Sequence, residues 1–293
     1  MDPYQESIFR AVKEALAEDI GRGDLTSLAC LEPNPLKAKL VAKQAGVLSG
    51  LLAALYVYEV VDSANRVTPR YRDGDHFEKG AVIFDVDGFN QTILASERVA
   101  LNFMAHLSGV ATLTSRFVER TAGTNARILD TRKTTPGMRI LEKMAVCHGG
   151  GVNHRFGLYD MILIKDNHIA SSGSIAGAVQ MARDYLRSRD FRIQFQTEAE
   201  KILIEVEVTN ESQLREAIGA RVDRLLLDNQ SVDSLRNMVR VARSLDPSIK
   251  LEASGNVSLD TVAAIASTGV DFISVGAITH SAPVIDFSLQ AGE

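Results

Sequence analysis

Between Arg127 and His168 the sequence places seven basic side chains, Arg127, Arg132, Lys133, Arg139, Lys143, Arg155 and Lys165, against four acids, Asp130, Glu142, Asp160 and Asp166. Seven less four leaves +3 in a chain whose net charge is −5, with His148, His154 and His168 added to it. A cationic island in an acidic protein suits a small anionic ligand rather than a polymer, although a solvated basic loop has the same composition. Guanidinium groups grip carboxylate or phosphate through paired hydrogen bonds, and lysine acts as a point charge. Arg132, Lys133, Arg155 and Lys165 are therefore candidate anion ligands, the alternative being salt bridges to the four acids. Gly149-Gly150-Gly151-Val152-Asn153-His154-Arg155 adds glycines that permit close approach or a mobile loop. Glu205 and Glu207 share a parity and point the same way. With Asp228 they can hold ribose hydroxyls, coordinate Mg²⁺, stabilise a cation, or pair with Lys165 or Arg132.

These residues need elements to hold them, and the hydrophobic pattern supplies candidates. From Ile128 onward, apolar runs alternate with helical stretches. The runs are Ile128-Leu129, Met161 to Ile164, Ile202 to Val208, Arg224 to Leu227, Ile249 to Leu251 and Phe272 to Val275. The helical stretches are 137–146, 174–187, 211–218, 232–243 and 259–267. That rhythm implies βαβ units and a parallel sheet, with a barrel favoured over an open sheet. Nearly every run ends in chemistry: Asp130-Thr131-Arg132-Lys133, Lys165-Asp166-Asn167-His168, Asp228-Asn229, Glu252-Ala253-Ser254-Gly255-Asn256 and Gly276-Ala277. In β/α barrels the active site occupies that face, and the last loops often hold phosphate.

The first hundred residues read as a small α/β layer. Asp2-Pro3 opens a helix with Ile8, Val12 and Leu16 on its apolar face. Lys37 to Lys43 alternates as a strand, Ser49 caps a helix to about Val61, and Asp87-Gly88 between 81–86 and 91–94 signals a hairpin. Ser96 caps a long helix to about Thr121, with Val99, Phe103, Leu107, Val110, Leu113 and Phe117 on one face.

Composition bounds the rest. With 293 residues, 45% hydrophobic and 24% charged, the chain reads as globular, in one large domain or two medium ones. No window suits a membrane span, and the N-terminus lacks a secretory pattern. Net negative charge argues against nucleic acid. Cys30 and Cys147 alone suit a reducing, cytoplasmic setting and no structural metal cluster, and Cys147 reads as a core or boundary residue. Walker, nucleophile-elbow and zinc-helix motifs are absent. His76, His106 and His280 stay unassigned.

The chain resembles the quinolinate phosphoribosyltransferase family. The matching blocks are 18–26, Ser96-Glu97-Arg98 through His106-Leu107-Ser108-Gly109, Asp130 to Gly137, Gly149 to Arg155, Ile164 to His168, Glu205 to Val208, Leu226 to Asn229, Glu252 to Asn256 and Ser274 to His280. The resemblance implies an N-terminal α/β sandwich domain over 1–122, including the connecting helix. It implies an incomplete, roughly seven-stranded β/α barrel over 123–280 and a tail, 281–293, returning to the first domain. It implies a homodimer or higher oligomer in which Arg98 reaches the neighbouring site. Carried over residue by residue, Arg98, Arg132, His154, Arg155 and Lys165 bind quinolinate. Thr131, Lys133, Glu207, Asp228, Ser254, Gly255, Asn256, Val275, Gly276 and Ala277 bind 5-phosphoribosyl-1-pyrophosphate. Lys133, Lys165, Glu207 and Asp228 act in catalysis, and Glu207 and Asp228 hold Mg²⁺. Asn256 stands where the family commonly shows glycine or serine-glycine, and 187–201 looks like a surface elaboration.

The implied reaction makes nicotinate mononucleotide, pyrophosphate and CO₂, a step of NAD biosynthesis, and no protein nucleophile is needed. Three alternatives stand beside it. They are a phosphoribosyltransferase acting on nicotinate, a Schiff-base lyase using Lys165, and a non-catalytic phosphosugar-binding protein.

Overall fold

The computed structural model describes residues 3–195 and 197–292, so the Asp2 cap lies outside the described residues. The chain clusters into two compact units. One comprises 1–116, 133–151 and 277–293, the other 117–132 and 152–276.

The first unit begins with α1 (Pro3–Asp19) and α2 (Leu25–Cys30), followed by β1 (Pro35–Ala42), β2 (Gly46–Val47) and α3 (Leu51–Val61). Then come β3 (Arg66–Pro69), β4 (His76–Phe77), β5 (Val82–Phe89) and α4 (Asn90–Arg120), whose last turn belongs to the second unit. Ile8, Val12 and Leu16 of α1 are buried, as the spacing required. The main sheet has the order β12-β1-β5-β3, where β12 (Phe287–Ala291) is the returning tail, antiparallel to β1 with Leu40 opposite Leu289.

Four local expectations fail here. No hairpin forms at Asp87-Gly88, because β5 runs through it, paired to both β1 and β3. Gly88 serves close approach instead of a turn: a Cβ there would stand 2.1 Å from Asn65 Oδ1. Residues 91–94 accordingly open α4, which starts six residues before Ser96, and Ser96 Oγ donates back to Thr92 O at 2.7 Å. The cap of α3 is Gly50 at φ +94 rather than Ser49, and Asp73 accepts the Leu51 N–H at 3.0 Å. Cys147 is exposed, neither core nor boundary.

The second unit holds a parallel sheet of six strands in the order β6-β11-β10-β9-β8-β7. Its strands are β6 (Arg127–Leu129), β7 (Ile162–Ile164), β8 (Ile204–Val208), β9 (Arg224–Asp228), β10 (Lys250–Ser254) and β11 (Phe272–Ser274). The sheet does not close. On the free edge of β6 a seventh position is reduced to Val152, bridging Leu129 in parallel, with its N–H donating to Ile128 O at 2.8 Å. The helices are α5 (Arg139–His148), α6 (Asp166–Ser172), α7 (Ile175–Arg187), α8 (Arg189–Phe195), α9 (Glu211–Gly219), α10 (Val232–Leu245), α11 (Val262–Ala266) and α12 (Ala277–His280), of which α5 and α12 cluster with the first unit. Ser174, Asn210 and Ser231 cap α7, α9 and α10 by accepting backbone N–H groups. The α8 insertion carries a small aromatic cluster, with Phe191 and Phe195 stacked at 5.2 Å. Among the described residues no helix is long and apolar enough to cross a membrane.

Candidate active site

Parallel strands covered on both faces are normally continuous apolar runs. Glu205, Arg224 and Glu252 break that rule, and they sit together. Glu205 and Arg224 are register partners across β8 and β9, and both glutamates are buried. Arg224 Nη1 donates to Glu252 Oε2 at 3.0 Å and its guanidinium covers the Phe272 ring at 4.5 Å. Ser274 Oγ donates to the other Glu252 oxygen.

His154 completes this cluster. Its Nε2 lies 3.1 Å from Glu205 Oε2 and 3.5 Å from Glu252 Oε1. Burial works against a charged imidazole, but the two carboxylates outweigh it and raise His154 to about 9. The Arg155 N–H donates to Nδ1 at 2.7 Å, so the second ring proton requires that contact to give way. Glu205 is pushed up to about 7 by burial and by the charge of Glu252. Glu252 itself is held down, against burial, by His154, Ser274 and Arg224. No donor is aligned on either Glu205 oxygen.

The loop from Val152 is wound on acids. Asp130, fully buried, accepts the His154 N–H at 2.8 Å, and Asp160 accepts those of Phe156 and Gly157 at 2.6 and 2.9 Å. Glu142 accepts from Thr135 N–H and Asp166 from Asn167 N–H. All four acids of the cationic segment thus give acceptor capacity to main chain. Arg155 is half-buried, with Nη1 donating to Met161 O at 3.1 Å. Burial, and then the neighbouring positive charge of Arg132, push Arg155 below its ordinary value. Two guanidinium groups that repel one another favour an anion between them.

At the strand ends, Lys165 Nζ approaches Glu207 Oε2 at 3.2 Å from the residue that follows β7. Asp228 ends the neighbouring β9 and accepts from Asn229 Nδ2 at 2.6 Å. The next loop folds onto this one. Asn229 N–H donates to Ser254 O at 2.9 Å, and a Cβ on Gly255 would stand 2.2 Å from Asn229 Oδ1. Asn229 and Asn256 adopt φ +52 and +50, the left-handed region that asparagine tolerates better than most residues. Thr131, Arg132 and Gly276 follow β6 and β11 in the same unit, and Val275 N–H donates to Leu129 O at 2.9 Å. Arg98, exposed on α4, and Lys133 and Ala277 belong to the first unit.

Two groups can be considered for a metal. Ligand atoms of His154, Glu205 and Glu252 lie within 4.8 Å of one another. Glu252 is already engaged by Arg224 and Ser274, and imidazole is a poor partner for Mg²⁺, so this group reads as an ion-paired histidine. Glu207 and Asp228, half-buried carboxylates on neighbouring strands, fit Mg²⁺, which takes one or two carboxylates and keeps much of its water. An apolar cleft of about 330 Å³ along β7, α6 and α7, lined by Ile162, Ile164, His168 and Met181, lacks such charge.

Reading the sequence for strand ends missed the roles of Arg224 and Glu252. The signal was present as charge in the middle of otherwise apolar parallel strands.

Comparisons with known proteins identify the family. Residues 24–108 match the quinolinate phosphoribosyl transferase N-terminal domain and residues 110–290 the C-terminal domain of the same family. A Bacillus subtilis (strain 168) protein named "Probable nicotinate-nucleotide pyrophosphorylase (carboxylating)" is 42% identical over 273 residues, covering 93% of this chain and 89% of that protein. The chloroplastic nicotinate-nucleotide pyrophosphorylase (carboxylating) of Arabidopsis thaliana is 39% identical, covering 95% and 81%. The solved structure of the nicotinate-nucleotide pyrophosphorylase from Francisella tularensis superposes with a TM-score of 0.90 at 40% identity, covering 98% of this chain and 97% of that one. The chain belongs to the quinolinate phosphoribosyltransferase family.

Proposed function

We propose that this protein transfers the phosphoribosyl group of 5-phosphoribosyl-1-pyrophosphate to quinolinate, releasing pyrophosphate and CO₂ and leaving nicotinate mononucleotide for NAD biosynthesis. The observation that carries the reading is the pairing of two mutually repelling guanidinium groups, Arg132 and Arg155, with carboxylates at neighbouring strand ends, Glu207 and Asp228. Such a unit can take a dianion and face a developing cation.

Quinolinate carries two adjacent carboxylates. Arg132, Arg155 and Lys165 supply positive charge for them, and His154 either holds the Arg155 backbone through Nδ1 or, once that contact gives way, takes a second proton and adds charge of its own. Lys133, next in the chain to Arg132, serves a carboxylate or the pyrophosphate. In a homodimer, Arg98 is contributed to the neighbouring chain's site. Thr131, Ser254, Gly255, Asn256, Val275, Gly276 and Ala277 hold the phosphoribosyl group, chiefly through main chain. Mg²⁺, held by Glu207 and Asp228, supplies charge neutralisation of the pyrophosphate. As the C1–oxygen bond to pyrophosphate breaks, positive charge spreads onto the ribose, and Glu207 and Asp228 stabilise it through the ribose hydroxyls. The pyridine nitrogen takes the vacated position. Once quaternary, it accepts the electron pair left at carbon 2 when CO₂ departs, and carbon 2 then takes a proton from water. A protein that strips water from the 2-carboxylate favours that loss. The presence of only two cysteines, Cys30 and Cys147, keeps the cytoplasmic reading.

The test is a Mg²⁺-dependent assay with quinolinate and phosphoribosyl pyrophosphate, following CO₂ and mononucleotide together, with nicotinate in parallel. Equal CO₂ and mononucleotide from quinolinate alone is expected. Turnover of nicotinate alone moves the protein to the monocarboxylate reading, and no turnover with either overturns the transferase. Arg132→Ala is expected to weaken quinolinate binding by roughly 10- to 100-fold, the loss of a charge-assisted contact. Phosphoribosyl pyrophosphate binding should change far less, and equal losses would remove the assignment.

A further inference from the structure

The His106-Leu107-Ser108-Gly109 segment of α4 has no part in the proposed chemistry, yet three of its residues are tied to distant parts of the first unit. Ser108 Oγ accepts the Ser49 N–H and donates to Ser49 O, both at 3.1 Å. A Cβ on Gly109 would stand 2.2 Å from Pro283 O, so the tail passes against bare backbone. His106 Nε2 donates to Glu142 Oε1 at 2.8 Å. Glu142 is fully buried on α5 and accepts the Thr135 N–H on its other oxygen at 3.1 Å.

That last contact is unusual for a carboxylate in a first helical turn. A capping glutamate serves amides at the start of its own helix, whereas Thr135 lies seven residues back, in the irregular stretch that follows β6. The same stretch is fixed twice more. Lys133 O accepts from Thr279 Oγ1 at 2.7 Å, and Thr134 Oγ1 accepts from Arg139 Nε at 3.0 Å. Without helix or strand of its own, the 133–138 segment is held by these three contacts and by a turn of its own, the Met138 N–H donating to Thr135 O at 3.0 Å. Lys133, exposed within it, has four rotatable side-chain bonds, and fixing its backbone on both sides narrows the directions that side chain can take.

We propose that His106 and Glu142 are positioning residues for Lys133, acting through the Thr135 amide and touching no substrate themselves. The proposal rests on the transferase reading, which gives Lys133 its contact with substrate.

The experiment is a double-mutant cycle on the full chain, assayed with quinolinate, phosphoribosyl pyrophosphate and Mg²⁺. His106→Leu is expected to lower kcat/KM on the order of tenfold or more, since displacements near 1 Å carry such losses. His106→Gln keeps an N–H donor and should recover most of the loss. In a Lys133→Ala background, His106→Leu should add less than about a twofold further loss, because its effect travels through the missing side chain. An equal factor in both backgrounds, or wild-type rates for His106→Leu, overturns the proposal. If His106→Leu does not fold, Glu142→Gln enters the same cycle with the same criteria. Hydrogen exchange across 131–138 asks the question without substrate. Faster exchange at Thr135 in His106→Leu, with wild-type exchange in His106→Gln, supports positioning, and unchanged exchange in His106→Leu overturns it. Absence of turnover in the wild type removes the transferase reading, and turnover with additive mutants removes only the positioning role.

Discussion

The two compact units each set a histidine against buried carboxylate, and they do so differently. In the first, His106 meets one carboxylate whose two oxygens each receive a donor, His106 Nε2 and the Thr135 amide. In the second, His154 lies between Glu205 and Glu252, with Arg224 behind them and no donor aligned on Glu205. A satisfied carboxylate is a structural tie. Two carboxylates around one ring, with part of their hydrogen-bonding capacity unused, form an electrostatic device that shifts the titration of its members. The difference follows from location. Glu142 stands on a helix and can reach a loop, whereas Glu205 and Glu252 stand on buried parallel strands where, apart from the Ser274 hydroxyl on Glu252, the groups that reach them are charged or become so, His154 and Arg224.

The largest expected effect breaks the second cluster. Glu252→Ala removes the carboxylate that Arg224 hydrogen-bonds and leaves Glu205 alone to face both buried cations, a change that costs about 3–5 kcal/mol. Glu142→Ala removes the shared acceptor of two donors, His106 Nε2 and the Thr135 N–H, and should cost about 1–3 kcal/mol. Urea unfolding of both variants checks the order. If Glu142→Ala proves the more destabilising, the distinction between tie and electrostatic device is wrong.

The next effect is pH dependence, which belongs to the second cluster. His154 moves from an ordinary value of 6.5 in the unfolded chain to about 9 in the fold. A raised value means that its contribution to stability is present in full below about pH 6.5 and is lost as pH rises through 9. The loss is at most about 3 kcal/mol, since the shift is shared with the glutamates. Glu205, raised to about 7, has the same sign over a lower window. Its contribution, complete below its ordinary value, falls as pH rises toward 7. Stability should therefore decline from mildly acid to alkaline pH, and His154→Gln should flatten the upper part. A rising curve between pH 7 and 9 would contradict the assignment of proton and charge.

Much of this was legible in the residues. The alternation of apolar runs with helical stretches located all six barrel strands to within a few residues, because parallel strands buried on both faces leave a strong signal. The strand-end chemistry was legible too, since Asp130, Lys165, Asp228 and Ser254 each follow or end such a run. The failures came where one residue type serves two purposes. Asp87-Gly88 has the composition of a turn, yet Gly88 is there for contact with Asn65. Ser96 has the composition of a cap, yet its hydroxyl returns to Thr92 inside a longer helix. Neither His106–Glu142 nor His154–Glu252 could be paired from spacing, because the partners are 36 and 98 residues apart in the chain.

The smallest effect compares two buried hydroxyls. Ser274 Oγ donates to the Glu252 carboxylate, and Thr279 Oγ1 donates to the Lys133 carbonyl. Hydrogen bonds to a charged acceptor contribute about 1.5–3 kcal/mol, those between neutral groups about 0.5–1.5 kcal/mol. Ser274→Ala should therefore lower the unfolding free energy more than Thr279→Val, although the first removes one oxygen and the second only exchanges a hydroxyl for a methyl. The activity readout should run the opposite way. Thr279→Val frees the backbone of Lys133 and should change turnover more than its stability cost suggests. Ser274→Ala acts on a cluster whose charges remain paired through Arg224, so its loss should appear chiefly in the unfolding curve. If both variants lose stability and activity in the same proportion, the two histidine–carboxylate sites differ only in depth of burial, and the contrast between tie and electrostatic device has no content.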